Sequence, residues 1–508
     1  MTDPDGVAPA TVYLVGAGPG DPGLLTLRGA ECLRRAEVVL YDYLANPSVL
    51  EHAAPSAELV PLGRTGTGRS LTPDEITDRM IEEARRGRTT VRLKGGDPSV
   101  FGRGADETGA LRRAGIPFEV VPGITAGLAL AAYCEIPVTH QDDASALALV
   151  VGRERDAKEE SGLDYGALAA FPGTLIFYMG VARAALWSAA LVARGKSPDT
   201  PVAIVRWCTR AAQEILRCTL GTVSDFVATQ GVRPPALFVV GEVVRRAPAR
   251  SWFAARALFG VRVLVPGSPA TSWKLRTELG ELGAEVVLEP AIRITGPPDP
   301  AAVDGALDAL DRYDWLVFSS ANGVDAFLGR LLERGHDVRA LGGVRLAAMG
   351  SGTADRLARY HLRADLVPDE FVAEALAEAL LNGPGGRRFL LVRADRGRDV
   401  LSRALRAGGA QVDEVPAYGS EDVREPDPGV AAALEAGDIN WIAVTSSAVA
   451  RSLARLYGSG LAQARIASIG PIASETLRGL GREPAVQAEP HTTSGLVEAI
   501  LRAEQGGG

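Results

Sequence analysis

The sequence predicts an α/β protein built in two parts, the second made of two similar α/β units. Three observations carry this. Short apolar runs that end in glycine or aspartate alternate with helical patterns along the whole chain. A composition break, RRAPARSWFAARALFG, falls at 245–260. The half that follows the break contains an internal repeat.

In chain order, TVYLVGAG (11–18), AEVVLYD (36–42), TTVRLKGGD (89–97) and FEVVPG (118–123) read as short buried strands. LTPDEITDRMIEEARRG (71–87) reads as a helix: Thr72 caps it, Pro73 opens it and Glu75 completes a capping box. SGLDYG (161–166) reads as an internal loop. The strand ALFVVGEVV (236–244) precedes the break, and a fresh strand, VRVLVPG (261–267), follows it. The expected domains are therefore 11–247 and 261–503, with 248–260 as linker. In the second half, 261–291 matches 387–417, 313–327 matches 439–453, and 344–357 matches 464–477. A period this long means two similar α/β units rather than a solenoid, whose repeats run to roughly 20–50 residues.

Composition narrows the function. With 508 residues, 46% hydrophobic and 23% charged, the chain can bury several cores. A net charge of −8 argues against coating nucleic acid, yet local arginines can still bind an acidic small molecule. The four cysteines, Cys32, Cys134, Cys208 and Cys218, are scattered and have no zinc spacing. We expect free thiols, no metal and a reducing, cytoplasmic setting. No signal peptide and no membrane span are expected: residues 1–10 are polar with two prolines, and no run of roughly 18 apolar residues exists.

The first turn, GAGPGD (16–21), has Asp21 where a dinucleotide fingerprint needs glycine, and Pro19 lacks an N–H for phosphate. No Walker lysine follows. The turns LKGGDPSVFGRG (93–104) and VVPGITAG (120–127) repeat the device. Together they put bare backbone and two carboxylates, Asp21 and Asp97, at the ends of neighbouring strands, where open α/β sheets bind ligands. A ligand with hydroxyls, an amine and an adenine but no phosphate fits, which points to S-adenosylmethionine.

These motifs, with VVLYD, IPVTH, FYMG and GEVV in the same order, resemble the uroporphyrinogen-III C-methyltransferases over 11–247. The resemblance implies the tetrapyrrole methylase fold, two α/β subdomains that hold S-adenosylmethionine between them and release S-adenosylhomocysteine. It implies a cofactor site at Pro19, Gly95, Gly96, Asp97, Val100, Thr125, Ala126, Met179 and Cys208. Asp42 matches the proposed proton acceptor; read without the family, it is a strand-end turn aspartate. The family's lysine falls on Arg64, which stays protonated and suits a carboxylate clamp. Arg103 is a second candidate clamp, or a solvated loop arginine. The implied reaction methylates uroporphyrinogen III twice to precorrin-2, toward cobalamin or siroheme, in a homodimer formed through this half.

Residues 261–503 resemble uroporphyrinogen-III synthase, whose two-domain fold would place about 261–293 plus 418–503 in one unit and about 296–415 in the other. That enzyme closes hydroxymethylbilane with inversion of ring D and needs no cofactor. Tyr418 matches the tyrosine proposed to assist the leaving hydroxide; alternatively it only packs at a hinge. Ser319, Ser320, Thr353, Ser446, Ser447 and Ser474 would hold substrate carboxylates at strand-to-helix turns. Arg393, Arg396 and Arg398 are candidates by charge alone. Two other readings stay open: a methylase of a later precorrin, and a C-terminal half that is a non-catalytic binding or regulatory module.

Overall fold

The computed structural model describes residues 10–506 except 55, 64–70, 154–161, 268, 371, 384–385 and 398. Twenty strands form four five-stranded sheets among these residues.

The first sheet contains β1 (Val12–Gly16), β2 (Val38–Tyr41), β3 (Glu58–Pro61), β4 (Thr90–Lys94) and β5 (Phe118–Val121), in the order β3-β2-β4-β1-β5, all parallel. Its inner strands β1 and β2 are largely apolar on both faces; Val12, Leu14, Val38, Val39 and Leu40 are fully buried. The helix Pro73–Arg85 carries the expected capping box, Thr72 to Glu75 in both directions. Every turn after β1, β2, β4 and β5 emerges at one carboxyl edge, and this positions the site.

The second sheet contains β6 (Leu147–Val151), β7 (Thr174–Tyr178), β8 (Pro201–Arg206), β9 (Glu214–Thr219) and β10 (Ala236–Val240), ordered β6-β7-β10-β8-β9 and mostly antiparallel. β10 stops four residues short of the strand expected from sequence: Gly241 takes φ 150°, and a 3₁₀ turn, Glu242–Arg246, follows. The helix Tyr165–Ala170 starts inside the stretch expected to be loop, capped by Asp164.

The remaining strands are β11 (Arg262–Val265), β12 (Glu285–Leu288), β13 (Ile292–Thr295), β14 (Trp315–Phe318), β15 (Arg345–Ala348), β16 (Arg388–Ala394), β17 (Gln411–Asp422), β18 (Trp441–Val444), β19 (Arg465–Ser468) and β20 (Val486–Gln487). They form sheets β12-β11-β18-β19-β20 and β13-β17-β16-β14-β15. The internal repeat is visible in the topology: β12-β11-β18-β19 and β17-β16-β14-β15 are the same order built twice. The two segments that pass between the units, β13 and the end of β17, pair antiparallel from Ile292↔Asp422 to Thr295↔Gly419.

Residues 248–260 form neither helix nor strand. They are packed nonetheless: Phe253 and Leu258 are buried, Trp252 Nε1 donates to the Ala132 carbonyl at 2.8 Å, and Tyr133 lies edge-on to Phe253.

Candidate functional site

A cleft of about 970 Å³ lies between the first two sheets. Three glycine turns meet at its floor. Gly18 and Gly96 bridge antiparallel, with Gly96 N donating to the Gly18 carbonyl at 2.8 Å. A Cβ on Gly123 would stand 2.2 Å from the Gly96 oxygen, and one on Gly16 would stand 2.5 Å from Gly123 Cα. The glycines are therefore required by backbone touching backbone, not by a phosphate.

Both aspartates of these turns serve structure. Asp97 accepts from Ser99 N at 2.7 Å and Gly123 N at 2.9 Å, and it is not among the residues lining the cleft. Asp21 accepts from Gly23 N and from the Tyr133 hydroxyl, both at 2.7 Å, while its own N–H donates to Thr209 Oγ1 at 2.8 Å. Asp21 thus ties the first subdomain to the second instead of offering a carboxylate to the ligand edge.

Pro19, Gly95, Gly96, Val100, Thr125, Ala126, Met179 and Cys208 all line the cleft. Thr125 Oγ1 lies 2.7 Å from the Tyr178 hydroxyl, which also accepts from Gly127 N. Burial holds the Tyr178 phenol neutral by pushing its pKa up. The Cys134 thiol beside Cys208, and then burial, push the Cys208 thiol well up. All four cysteines are free thiols. Arg103 lines the cleft and pairs with Asp106 at 3.0 Å. Arg64 lies outside the described residues.

Asp42 lines the same cleft and accepts from Arg92 Nη2 at 2.7 Å. Behind it runs a network that sequence reasoning missed. Arg92 Nε reaches Glu107 at 3.2 Å, and Lys94 Nζ donates to both Glu107 oxygens at 2.8 and 2.9 Å. Arg92 and Lys94 are each 3% exposed and Glu107 is buried with them, so three charges lie in the wall behind the partly open Asp42. Burial, then the Arg92 charge, lowers the Lys94 pKa. The signal was present: Arg92 and Lys94 stand two apart in a strand otherwise apolar, so they share one face.

Backbone strain gathers here too. Phe101 (φ 53°), Arg103 (58°), Met179 (54°) and Trp207 (46°) are left-handed without being glycine, and all four line the cleft. Such conformations persist at functional sites where the surroundings over-determine them.

The donor set fits S-adenosylmethionine. It offers bare turn backbone, the Thr125 and Tyr178 hydroxyls, and Pro19 where a phosphate would want an N–H. The cleft volume exceeds that of a nucleoside, which leaves room for a second, larger molecule.

A second cleft, about 380 Å³, lies in the C-terminal half. It is lined by Ser319, Ser320, Arg393 and Tyr418 from one unit and by Ile472 from the other. Tyr418 is 6% exposed, and its hydroxyl lies 2.9 Å from Ser320 Oγ. Burial outweighs the Ser320 and Asn322 hydrogen bonds and raises its pKa, so the phenol is a donor at neutral pH. Ser320 also caps the helix Ala321–Glu333. Ser319 donates to the Val392 carbonyl at 3.1 Å.

The other turn residues are placed elsewhere. Ser474 is fully buried, bonded to Ser468 at 2.6 Å and to Gln487 at 2.7 Å; it holds β19 to β20 and cannot reach a substrate. Thr353 is buried on the inner face of the helix Ser351–Arg359. Ser446 caps the helix Ser447–Tyr457, and Ser447 donates to the Ile472 carbonyl. Neither lines the second cleft. Arg393 is engaged by Glu414 and the Gly397 carbonyl, and Arg396 by Asp422 at 3.4 Å. Arg398 lies outside the described residues.

Comparison with known proteins agrees with this division. Residues 11–224 match the family described as Tetrapyrrole (Corrin/Porphyrin) Methylases, and residues 274–498 match Uroporphyrinogen-III synthase HemD. The "Porphyrin biosynthesis protein HemD" of Ruminiclostridium josui is 33% identical over 98% of each chain. The S-adenosyl-L-methionine-dependent uroporphyrinogen III methyltransferase of Methanosarcina barkeri is 44% identical over 46% of this chain and 91% of its own. Among solved structures, the uroporphyrin-III C-methyl transferase of Thermus thermophilus complexed with S-adenyl homocysteine is 40% identical, with TM-score 0.40, over 46% of this chain and 94% of that one. The chain therefore belongs to the tetrapyrrole methylases in its N-terminal half and to the HemD uroporphyrinogen-III synthases in its C-terminal half, a methyltransferase and a synthase of tetrapyrrole biosynthesis fused in one polypeptide.

Proposed function

We propose that the C-terminal half closes hydroxymethylbilane to uroporphyrinogen III with inversion of ring D. The N-terminal half then methylates that product twice, giving precorrin-2 for the cobalamin or siroheme branch. The observation that carries this reading is a single cleft in which Asp42 shares the wall with the three glycine turns.

S-adenosylmethionine, when bound, supplies an electrophilic methyl group. Pro19, Gly95, Gly96, Val100, Thr125, Ala126, Met179 and Cys208 would hold it, while Asp97 keeps two of the turns in shape. A relative named as S-adenosyl-L-methionine-dependent supports that choice. Asp42 takes the proton that the pyrrole system loses as its ring carbon gains the methyl group. Arg92 aims the Asp42 carboxylate, and Glu107 with Lys94 fixes Arg92. Arg103, and Arg64 outside the described residues, would clamp substrate carboxylates.

In the second cleft the neutral Tyr418 phenol donates to the departing hydroxyl, and Ser320 orients that phenol. The N-terminus of the helix Ala321–Glu333 suits an acetate or propionate group. No cofactor is assigned to this half. We read the methylase half as the dimer-forming one, on the resemblance; light scattering on the full chain tests it.

The deciding assay supplies fresh hydroxymethylbilane anaerobically, with and without S-adenosylmethionine. Uroporphyrinogen III without the donor and a dimethylated product with it support the reading. Only the type I ring of spontaneous closure would show that the C-terminal half is no working synthase.

A further inference from the structure

We propose that the synthase half completes the methyl-donor cleft: Glu285, on β12, is a positioning residue that acts through Arg210. The inference rests on reading the first cleft as the S-adenosylmethionine site.

Arg210 belongs to the N-terminal half and lines the first cleft. Its guanidinium stands over the Trp207 ring, 5.3 Å from the centroid. Its Nη2 donates to Glu285 Oε1 at 2.7 Å, and both side chains are largely shielded, at 14% and 13% exposure. A shielded, hydrogen-bonded ion pair fixes geometry in a way that an exposed pair does not.

What Arg210 fixes is the cleft itself. Its stem occupies the place of a missing side chain on Gly20: a Cβ there would stand 2.7 Å from Arg210 Cγ. The residue before it, Pro19, lines the cleft. Trp207 and Thr209, in the same loop as Arg210, hold φ 46° and 68°, and Cys208 between them also lines the cleft. Within the N-terminal half this strained loop is held by Asp21 N on Thr209 Oγ1 and by Thr209 N on Gln213 Oε1. A further restraint comes from Glu285, across the boundary between the halves.

Glu285 is itself held. It lies opposite Arg262 on β11, whose Nε is 3.8 Å from its other oxygen. The ion pair Arg276–Glu51 ties the same unit to the N-terminal half, and the Trp252 bond to Ala132 ties the linker to it. The methyl-donor loop is thus clamped between its own subdomain and the neighbouring enzyme. Glu285 does not line the second cleft, so its effect separates from synthase chemistry.

The test uses the full-length chain and four proteins: wild type, Glu285→Gln, Arg210→Gln and the double variant. S-adenosylhomocysteine affinity is measured by titration calorimetry. Methylation kcat and KM are measured alongside, with hydroxymethylbilane cyclisation on the same preparations as the folding control. Glu285→Gln should weaken S-adenosylhomocysteine binding on the order of tenfold. It should raise the KM for S-adenosylmethionine more than it lowers kcat, and leave cyclisation at the wild-type rate. In the Arg210→Gln background the same change should cost nothing further. Wild-type affinity in Glu285→Gln, or full additivity of the two changes, overturns the proposal. A wild-type chain that cyclises hydroxymethylbilane but does not bind S-adenosylhomocysteine overturns the cofactor reading, and this inference with it.

Discussion

Asp42 and Tyr418 sit in opposite chemical settings, and each setting suits its proposed task. Asp42 is partly open to the cleft and held from behind by a guanidinium. Asp42→Asn should lower methylation kcat on the order of 100-fold while leaving S-adenosylhomocysteine affinity unchanged, as calorimetry would register. A parallel loss of affinity would mean that the residue shapes the pocket instead. Tyr418 is enclosed, and burial raises its pKa above the ordinary phenol value. The proton therefore stays on through neutral and mildly alkaline pH. Cyclisation should show no alkaline limb from this residue below about pH 10. Tyr418→Phe should lower its rate on the order of 100-fold. Residues of this kind were partly legible in the sequence. Asp42 and Tyr418 came from the family resemblance, and Asp42 is marked besides as the end of a strand. Ser474 did not reveal that it points inward, because a helix's first turn offers inner and outer faces and the sequence of the turn does not say which. The Asp42–Arg92–Glu107–Lys94 network was hidden because its members come from β2, β4 and the following helix, which only the sheet order brings together.

At the level of elements, the three glycine turns behave as one object. Gly123→Ala would drive a methyl group into the Gly96 carbonyl and Gly16 Cα, both backbone, so no side chain can move aside. We expect a loss of about 1–3 kcal/mol in urea unfolding, together with loss of S-adenosylhomocysteine binding. The glycine pattern predicted turns gathered at one edge of the sheet, but it did not reveal that the turns grip one another. A second element-scale case is Glu289, which directly follows β12 at 7% exposure. Burial raises its carboxyl pKa, although Tyr457 and the Asp427 N–H bond it. Its folded pKa is above its unfolded value, so its contribution to stability is greatest in acid and is lost as pH rises through the folded value. Glu289→Gln should raise the thermal midpoint at about pH 7.5, by on the order of 1 kcal/mol in stability, with no gain at about pH 4.

At the level of the molecule, two enzymes share a boundary that carries ion pairs and an ordered linker. At that boundary the sequence changes composition, since strands stop and a run of Arg, Ala and aromatic residues begins. It did not disclose that Trp252 and Phe253 are spent on Tyr133, because an apolar linker residue looks the same whether it packs forward or back. Differential scanning calorimetry reads the consequence. S-adenosylhomocysteine at about 100 times its Kd should stabilise the half that binds it by about 2.7 kcal/mol. With the boundary intact, the synthase transition should move upward too; in Glu285→Gln it should move less.

The antiparallel pairing of β13 with the end of β17 has its own consequence for the synthase half. Two units joined by separate strings could swivel in any direction. Here the strings are laced together over four rungs, Ile292↔Asp422 to Thr295↔Gly419. A laced ribbon resists torsion and sideways shear, yet it bends easily across its flat face. Such a ribbon would leave the units one soft direction, like the leaves of a book on its spine. Tyr418 stands one residue before the rung Thr295↔Gly419, so any bending of that ribbon would carry the phenol with it.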